Sequence, residues 1–384
     1  MTQFDDIRPY NDDEVRPVLD RILSDRELCH AVASLRFPRL ARALPWVMQP
    51  LVRSVLRRQL AAVNSVHDFQ TVIEKYMRTM IETTTSSLTV SGLDRLDPAQ
   101  SYLFISNHRD IAMDPAFVNW VLYHNGHKTV RIAIGDNLLT KPYVSDLMRL
   151  NKSFIVNRSA TSPRDKLRAL KHLSNYIYHS LHEDNANIWI AQREGRAKDG
   201  LDRTNAALVT MFALSKAKTS PLTEHIRALR IVPVSISYEL DPCDAAKASE
   251  LYEQRSHGCY EKDEHEDVAS IAAGIAGQKG HVHVAFGEML HGDYANTDEV
   301  AADIDRQIIQ NYVLYPNNCA AYEQLHGTLP PLTVTEKQVS FAKGDFSAEL
   351  QQFNRRLAAF DGSWRQIALE MYANPVVSKL QFQG

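Results

Sequence analysis

The apolar residues of the chain change period along its length. From Asp12 to Ile81 they recur at helical spacing. After Asn11-Asp12, which can cap a helix, Val15, Val18, Leu19 and Ile22 share one face. Phe69, Val72, Ile73, Tyr76, Met77, Met80 and Ile81 form a second stripe, expected to be core. A helix-poor run at 83–87 follows, and then short runs of strand formers begin. These are Leu88-Thr89-Val90, stopping at Gly92, then 101–106, 129–134, 154–156, 187–191, 229–238 and 281–286. Helix-period segments separate them. One runs from Asp114 to Tyr123, with Asp114 read as N-cap and Pro115 at N1. Others fall at 137–149, at 204–216, and after Ser162-Pro163, where Leu167, Leu170, Leu173, Ile177 and Leu181 share a face. A charged segment at 252–267 reads as surface helix. Helical patterns return at 297–312 and 346–372, with a looser link at 328–333.

Strands alternating with helices of this length predict an α/β fold: a mixed, largely parallel sheet flanked by helices. The expected organisation is an N-terminal helical extension (1–87), an α/β domain (88–290) and a helical C-terminal region (291–384). Composition changes little here. At 44% hydrophobic and 23% charged, the 384 residues are those of a globular protein. A net charge of −3 argues against general nucleic-acid binding. Four scattered cysteines without a CxxC pair indicate neither a zinc site nor a disulfide framework, and fit a reducing, cytosolic compartment. The acidic N-terminus lacks the apolar core of a signal peptide, and no apolar run approaches the roughly 18 residues of a membrane span.

Charge does change the picture between Glu27 and Asp68. No acidic residue falls there, whereas Arg36, Arg39, Arg42, Arg53, Arg57 and Arg58 do, interleaved with Phe37, Leu40, Leu44, Trp46 and Leu51. Basic and apolar residues mixed at near-helical spacing have the composition of helices lying in an anionic membrane interface, expected at 36–60. Pro38, Pro45 and Pro50 are expected to divide the segment into short pieces. The alternative is a pair of helices packed on the main domain with their arginines in water.

Candidate chemistry centres on Ser101–Pro115, where a strand breaks into Asn107-His108-Arg109-Asp110 and reaches Asp114-Pro115. A histidine at a strand exit with two nearby carboxylates suits a general base with an orienting partner, either Asp114 or Asp110. Familiar alternatives are missing: there is no GxSxG elbow and no Walker A loop. His108-Arg109-Asp110 begins like a kinase catalytic loop, but Pro115 stands where that loop needs its metal-binding Asn. His179 with His182, and His281 with His283, lack a third ligand and read as structural, so no metal is expected. Three further blocks follow in order: Phe154-Ile155-Val156-Asn157-Arg158, the loop Arg193-Glu194-Gly195-Arg196-Ala197-Lys198-Asp199-Gly200, and Ile231-Val232-Pro233-Val234-Ser235-Ile236. The first three of the four blocks close strands, where parallel α/β sheets bind ligands. Together they offer one base and a cluster of arginines suited to a phosphate.

These blocks, in this order and at these distances, resemble the phospholipid/glycerol acyltransferases. The resemblance covers about 88–240 well and 240–290 loosely. It implies transfer of a fatty acyl group from a thioester, on CoA or acyl carrier protein, to the hydroxyl of glycerol 3-phosphate or 1-acylglycerol-3-phosphate. His108 would be the base and Asp114 its partner. Arg158 and Arg196, which match the family's blocks, would hold the acceptor phosphate; Arg193 and Lys198, which do not match them, are further candidates for that duty from their place in the loop, and Glu194 and Gly195 would position the loop. Pro233 would shape the wall of the site. Two spacings depart from the family pattern. The carboxylate after His108 comes one residue late, at Asp114 instead of Met113, and the interval from Glu194 to Arg196 is one residue short. No cofactor is implied beyond the donor substrate. The expected partners are an acyl thioester, a phosphorylated glycerol and an anionic membrane surface, in a cytoplasmic protein peripheral on the inner face of the membrane. Two alternatives stand beside this reading: an acyl-thioesterase in which His108 and Asp114 activate water, and an inactive peripheral lipid-binding protein.

Overall fold

The computed structural model describes residues 3–263, 266–331, 347–360 and 362–382, apart from the side chains at 35, 36, 38, 41 and 45. The end of the expected link at 328–333 and the side chain of Arg36 lie outside the described residues. The chain forms two compact units, Met1–Arg78 with Arg131–Tyr176, and Thr79–Val130 with Ile177–Gly384. The stretch 88–290 thus contributes to both. Its strands are β1 (Thr85–Ser91), β2 (Leu103–Ser106), β3 (Arg131–Gly135), β4 (Ser153–Val156), β5 (Ile188–Ala191), β6 (Ile231–Tyr238) and β7 (Gly280–Phe286).

In the larger unit five strands run in the order β1-β7-β6-β2-β5. Only β6 and β7 pair antiparallel; β1–β7, β6–β2 and β2–β5 are parallel. The fold is α/β, a mixed and largely parallel sheet flanked by helices. Every residue of β2 and β6 is buried, as expected of strands covered on both faces, which is why they read as unbroken apolar runs. Proline is rare in such central strands because it cannot donate to the ladder. Pro233 is accommodated by what faces it: pairing with β7 begins only at Val234, and the segment beyond β7 offers donors there, Gly287 N–H to the Pro233 carbonyl and Leu290 N–H to the Ile231 carbonyl. A missing donor on that side therefore costs no bond.

Helical periodicity located most helices of this unit but not their bounds. The 252–267 segment resolves into Asp244–His257, closed by Gly258 at φ 75°, and Glu266–Ala276. The 346–372 pattern is two helices, Ser347–Ala358 and Gly362–Gln381, and the short helices Leu222–Ala228 and Pro316–His326 were not expected. Phe353, Leu357, Ile367 and Tyr372 of the C-terminal helices pack with Leu240 and Ala248 into one buried cluster.

The smaller unit joins the parallel pair β3–β4 to N-terminal helices around Val15, Val18, Leu19, Phe69 and Leu150. Asn11 opens the helix Asp12–Ser24 through a capping box with Glu14. Three expectations are corrected here. Pro38 and Pro45 each open a helix, Pro38–Ala43 and Pro45–Gln59, but Pro50 does not divide the chain: it sits inside the second, at the cost of one ladder bond. The helix expected at 137–149 starts only at Pro142, because the residue before a proline avoids helical angles. Tyr76, Leu167 and Leu170 are exposed, so both stripes are narrower than their periodicity. No described helix is long and apolar enough to cross a membrane.

Candidate active site

β2 delivers Asn107 and His108 to the carboxyl end of the sheet, and buried polar contacts fix them there. The Asn107 side chain bridges to β6: its Nδ2 donates to the Ile236 carbonyl at 3.0 Å and its Oδ1 accepts from Ile236 N–H at 2.8 Å. Trp189 of β5 donates its indole N–H to Ser106 Oγ at 3.0 Å and places its ring edge-on to His108, 5.9 Å away. The two residues before and at the turn are thereby held from both neighbouring strands.

His108 Nδ1 lies 2.8 Å from Asp114 Oδ2, and the Asp114 side chain is wholly buried. The same oxygen accepts from Arg109 N–H at 2.6 Å and Asp110 N–H at 3.0 Å. Oδ1 accepts from the Tyr238 hydroxyl at 2.7 Å. Asp114 thus receives four donors inside a buried site. The helix begins two residues before the expected cap and N1, at Met113 with Ala112 as N-cap, and the late carboxylate reaches the imidazole from within its first turn. Asp114 is therefore inside the first turn and is not the cap expected of it. Asp110 supplies the turn instead, its Oδ1 accepting from Ala112 N–H at 3.0 Å and Met113 N–H at 2.9 Å. Burial, then the nearby Asp114 charge, pushes the Asp110 carboxyl above its ordinary range. Of the two candidate partners, Asp114 touches His108. With Nδ1 committed, Nε2 has no hydrogen-bond partner among the described residues, and the side chain keeps 13% of its exposure.

The loop after β5 is tied to the same turn. Ala197 N–H donates to the His108 carbonyl at 2.7 Å, so Arg196 is one residue from that contact. Arg196 is buried, with one amine 3.2 Å from Ser270 Oγ on the helix Glu266–Ala276 and no other partner among the described residues. Arg193 is half-buried and Glu194 and Gly195 are exposed. Gly195 takes φ 73° and Gly200 φ 81°, left-handed angles that reverse the loop. Lys198 is committed to Glu250 in an ion pair. Arg158 belongs to the smaller unit, where it is exposed after β4 and its N–H donates to Asp136 Oδ1 at 3.1 Å.

Several residues of the site carry no sequence signal of their own. Arg109, which looked like part of a kinase-like triplet, turns inward to Asp202 at 2.6 Å and the Gly200 carbonyl at 3.1 Å. Burial opposes its charge, but the Asp202 carboxylate holds the guanidinium above its ordinary pKa. Lys247 donates to the Arg109 carbonyl at 2.6 Å and pairs with Asp241; against the effect of burial, the ammonium keeps that carboxyl below its ordinary range. Tyr238 was only the last letter of a strand. His281 and His283 bond Ser87, Thr89 and Ser91 across β1, and no cluster of metal-ligating side chains occurs among the described residues.

Residues 87–237 match the family model described as Acyltransferase. No curated protein matches the chain. Among solved structures, the 1-acyl-sn-glycerophosphate (LPA) acyltransferase PlsC from Thermotoga maritima is similar at 14% identity and a TM-score of 0.36, over 74% of this chain and 95% of that one.

Proposed function

From the premise that residues 87–237 form a domain of the acyltransferase family, we infer that the protein moves a fatty acyl group from a thioester to the hydroxyl of a glycerol phosphate. The observation that carries this reading is the 2.8 Å contact from Asp114 to His108 Nδ1, which leaves Nε2 unpartnered among the described residues. In the tautomer with hydrogen on Nδ1, Nε2 is the acceptor. It takes the proton of the acceptor hydroxyl as the oxygen attacks the thioester carbonyl, a contribution of about 10²–10⁴-fold. The tetrahedral intermediate then collapses. The C–S bond breaks, the thiolate recovers the proton from the imidazolium, and an ester and a thiol leave. No acyl-enzyme is needed. Asp114 stabilises the imidazolium while it lasts.

Arg196 and Arg193 sit in the loop bonded to the His108 backbone, and in this reading they hold the acceptor phosphate and so position its hydroxyl. Arg158 is assigned the same duty by the sequence resemblance alone. The acceptor is glycerol 3-phosphate or its 1-acyl derivative, and the donor is CoA- or carrier-protein-bound. The helices Pro38–Ala43 and Pro45–Gln59 favour a membrane-surface enzyme. Trp46 is 74% exposed, Leu40, Leu44, Leu51 and Val55 are exposed with it, and Arg39, Arg42, Arg57 and Arg58 lie among them. Arg53 differs from these exposed arginines, because its guanidinium donates to the Ser24 carbonyl.

The test is to incubate the protein with an acyl thioester and each phosphorylated acceptor, following thiol release and lipid product together. Thiol with acylated lipid is expected. Thiol with free fatty acid makes it a thioesterase, and neither product favours an inactive lipid-binding protein. His108→Ala should abolish turnover, and near-normal activity in that variant would remove the general base from the mechanism.

A further inference from the structure

Asp114 makes one hydrogen bond that neither builds its own turn nor holds the imidazole. It comes from Tyr238 at the end of β6, 124 residues along the chain. Oδ2 is already occupied by His108 Nδ1, Arg109 N–H and Asp110 N–H, whereas among the described residues Oδ1 has Tyr238 alone. The tyrosine is buried and its ring packs edge-on against Phe117 at 5.8 Å, so no solvent competes for the hydroxyl. We propose that Tyr238 is a positioning residue for general-base catalysis. By donating to Oδ1 it fixes which carboxylate oxygen faces the imidazole, and it keeps His108 in the neutral, proton-accepting form.

The sign follows from which state the bond favours. While His108 is neutral, the full Asp114 charge faces the tyrosine and the hydrogen bond is charge-assisted. When His108 takes a proton, the imidazolium competes for that charge and the tyrosine bond weakens. The hydroxyl therefore stabilises the state with a neutral imidazole, and its removal favours the imidazolium. Burial, reinforced by the Asp114 and Asp110 charges, pushes the phenol well above its ordinary pKa, so it remains a donor across the working range. The other charged groups near Asp114 are Asp110 and Arg109 from its turn, Asp202 from the loop after β5, and Asp241 and Lys247 behind the turn. None of them contacts Oδ1, and none is altered by removing the phenol oxygen.

This assignment rests on His108 being the base, and the experiment separates the two claims. The pH dependence of kcat/KM for acyl transfer is measured for the wild-type chain, for Tyr238→Phe, and for protein carrying 3-fluorotyrosine at 238, a stronger donor of nearly the same shape. In Tyr238→Phe the acid limb should move to higher pH, by on the order of one unit. With fluorotyrosine it should move to lower pH. A rate lowered equally at all pH with the limb in place, or both substitutions moving the limb the same way, overturns the proposal. If Tyr238→Phe fails to fold, an unmoved limb in the fluorotyrosine protein does so alone. His108→Ala is assayed alongside. If it is inactive while the limb stays put, only the role of Tyr238 falls; if it is active, the general-base reading falls first.

Discussion

Asp114→Asn removes one charge from the site while keeping its shape. The Asn carbonyl can take the place of Oδ2 and go on accepting from Arg109 and Asp110 N–H, and the amide NH₂ then faces Tyr238 Oη, which can act as acceptor. The fold should therefore survive, and the loss should be confined to the imidazolium. With 2.8 Å between Nδ1 and Oδ2, the two charge centres are roughly 4 Å apart, where opposite charges attract by about 4 kcal/mol at an effective dielectric constant near 20. That energy is missing only when His108 is protonated, so it raises the barrier and lowers kcat by about a thousandfold. Asp110→Asn provides the control. Among the described residues its side chain accepts two backbone N–H groups, which an Asn carbonyl can also serve, and the variant should keep most of the activity. The assay is steady-state thiol release with the fatty-acyl thioester that supports turnover, with circular dichroism to establish that each variant is folded. A folded Asp114→Asn that retains more than a tenth of wild-type kcat would refute the argument, and so would a larger loss in Asp110→Asn.

The other predictions concern the surroundings of this pair. Arg196→Gln should raise KM for the phosphorylated acceptor roughly ten- to hundredfold and leave KM for the acyl donor near wild type; equal effects on both would detach Arg196 from the phosphate. Gly200→Ala should lower stability by about 1–3 kcal/mol, seen as a reduced Tm, since φ is 81° and a Cβ would run into the Met371 carbonyl. Gly195→Ala, at φ 73° in open space, should cost only about 1 kcal/mol, and a reversal of that ranking would contradict the packing described here. Reversing charge at Arg57 and Arg58 together should weaken sedimentation with anionic vesicles more than tenfold, at about 1 kcal/mol per basic residue, without affecting neutral vesicles.

Most strands were legible because they are short apolar runs bounded by turn residues, β1 being the polar exception, and the strand exits led directly to His108 and to the 193–200 loop. What could not be read depends on partners distant in sequence. Nothing near Asp114 indicates that its helix starts at Met113, because the turn is set by Asp110 accepting two backbone donors, which alternation and spacing do not register. Arg109 and Asp202 are 93 residues apart and look like surface charge until the fold pairs them. Pro233 reads only as a proline inside a strand that shapes the wall of the site. Its true position is central, and the explanation lies in the donors of 287–290, which no local pattern encodes. Helix stripes overreached for a different reason. Periodicity marks the face that turns inward but not how far along the helix the covering layer extends, so Tyr76 reads as core and is exposed, and Leu167 and Leu170 share a face with buried Leu173 and are exposed.

The helix Gly362–Gln381 lies well beyond the matched span of residues 87–237, yet the loop that carries Arg196 leans on it. Asn374 Nδ2 donates to the Asp199 carbonyl at 2.6 Å, and the Met371 backbone closes over Gly200. The span that matches the acyltransferase model is thus not packed independently of the C-terminal helix. Trimming the chain to it would release the far end of the arginine loop and open Gly200 to water, and grafting it between relatives would require the last helix to travel with it. Variation near the C-terminus, far in sequence from any recognised motif, is accordingly a route by which the set of the 193–200 loop can shift while every motif residue stays the same.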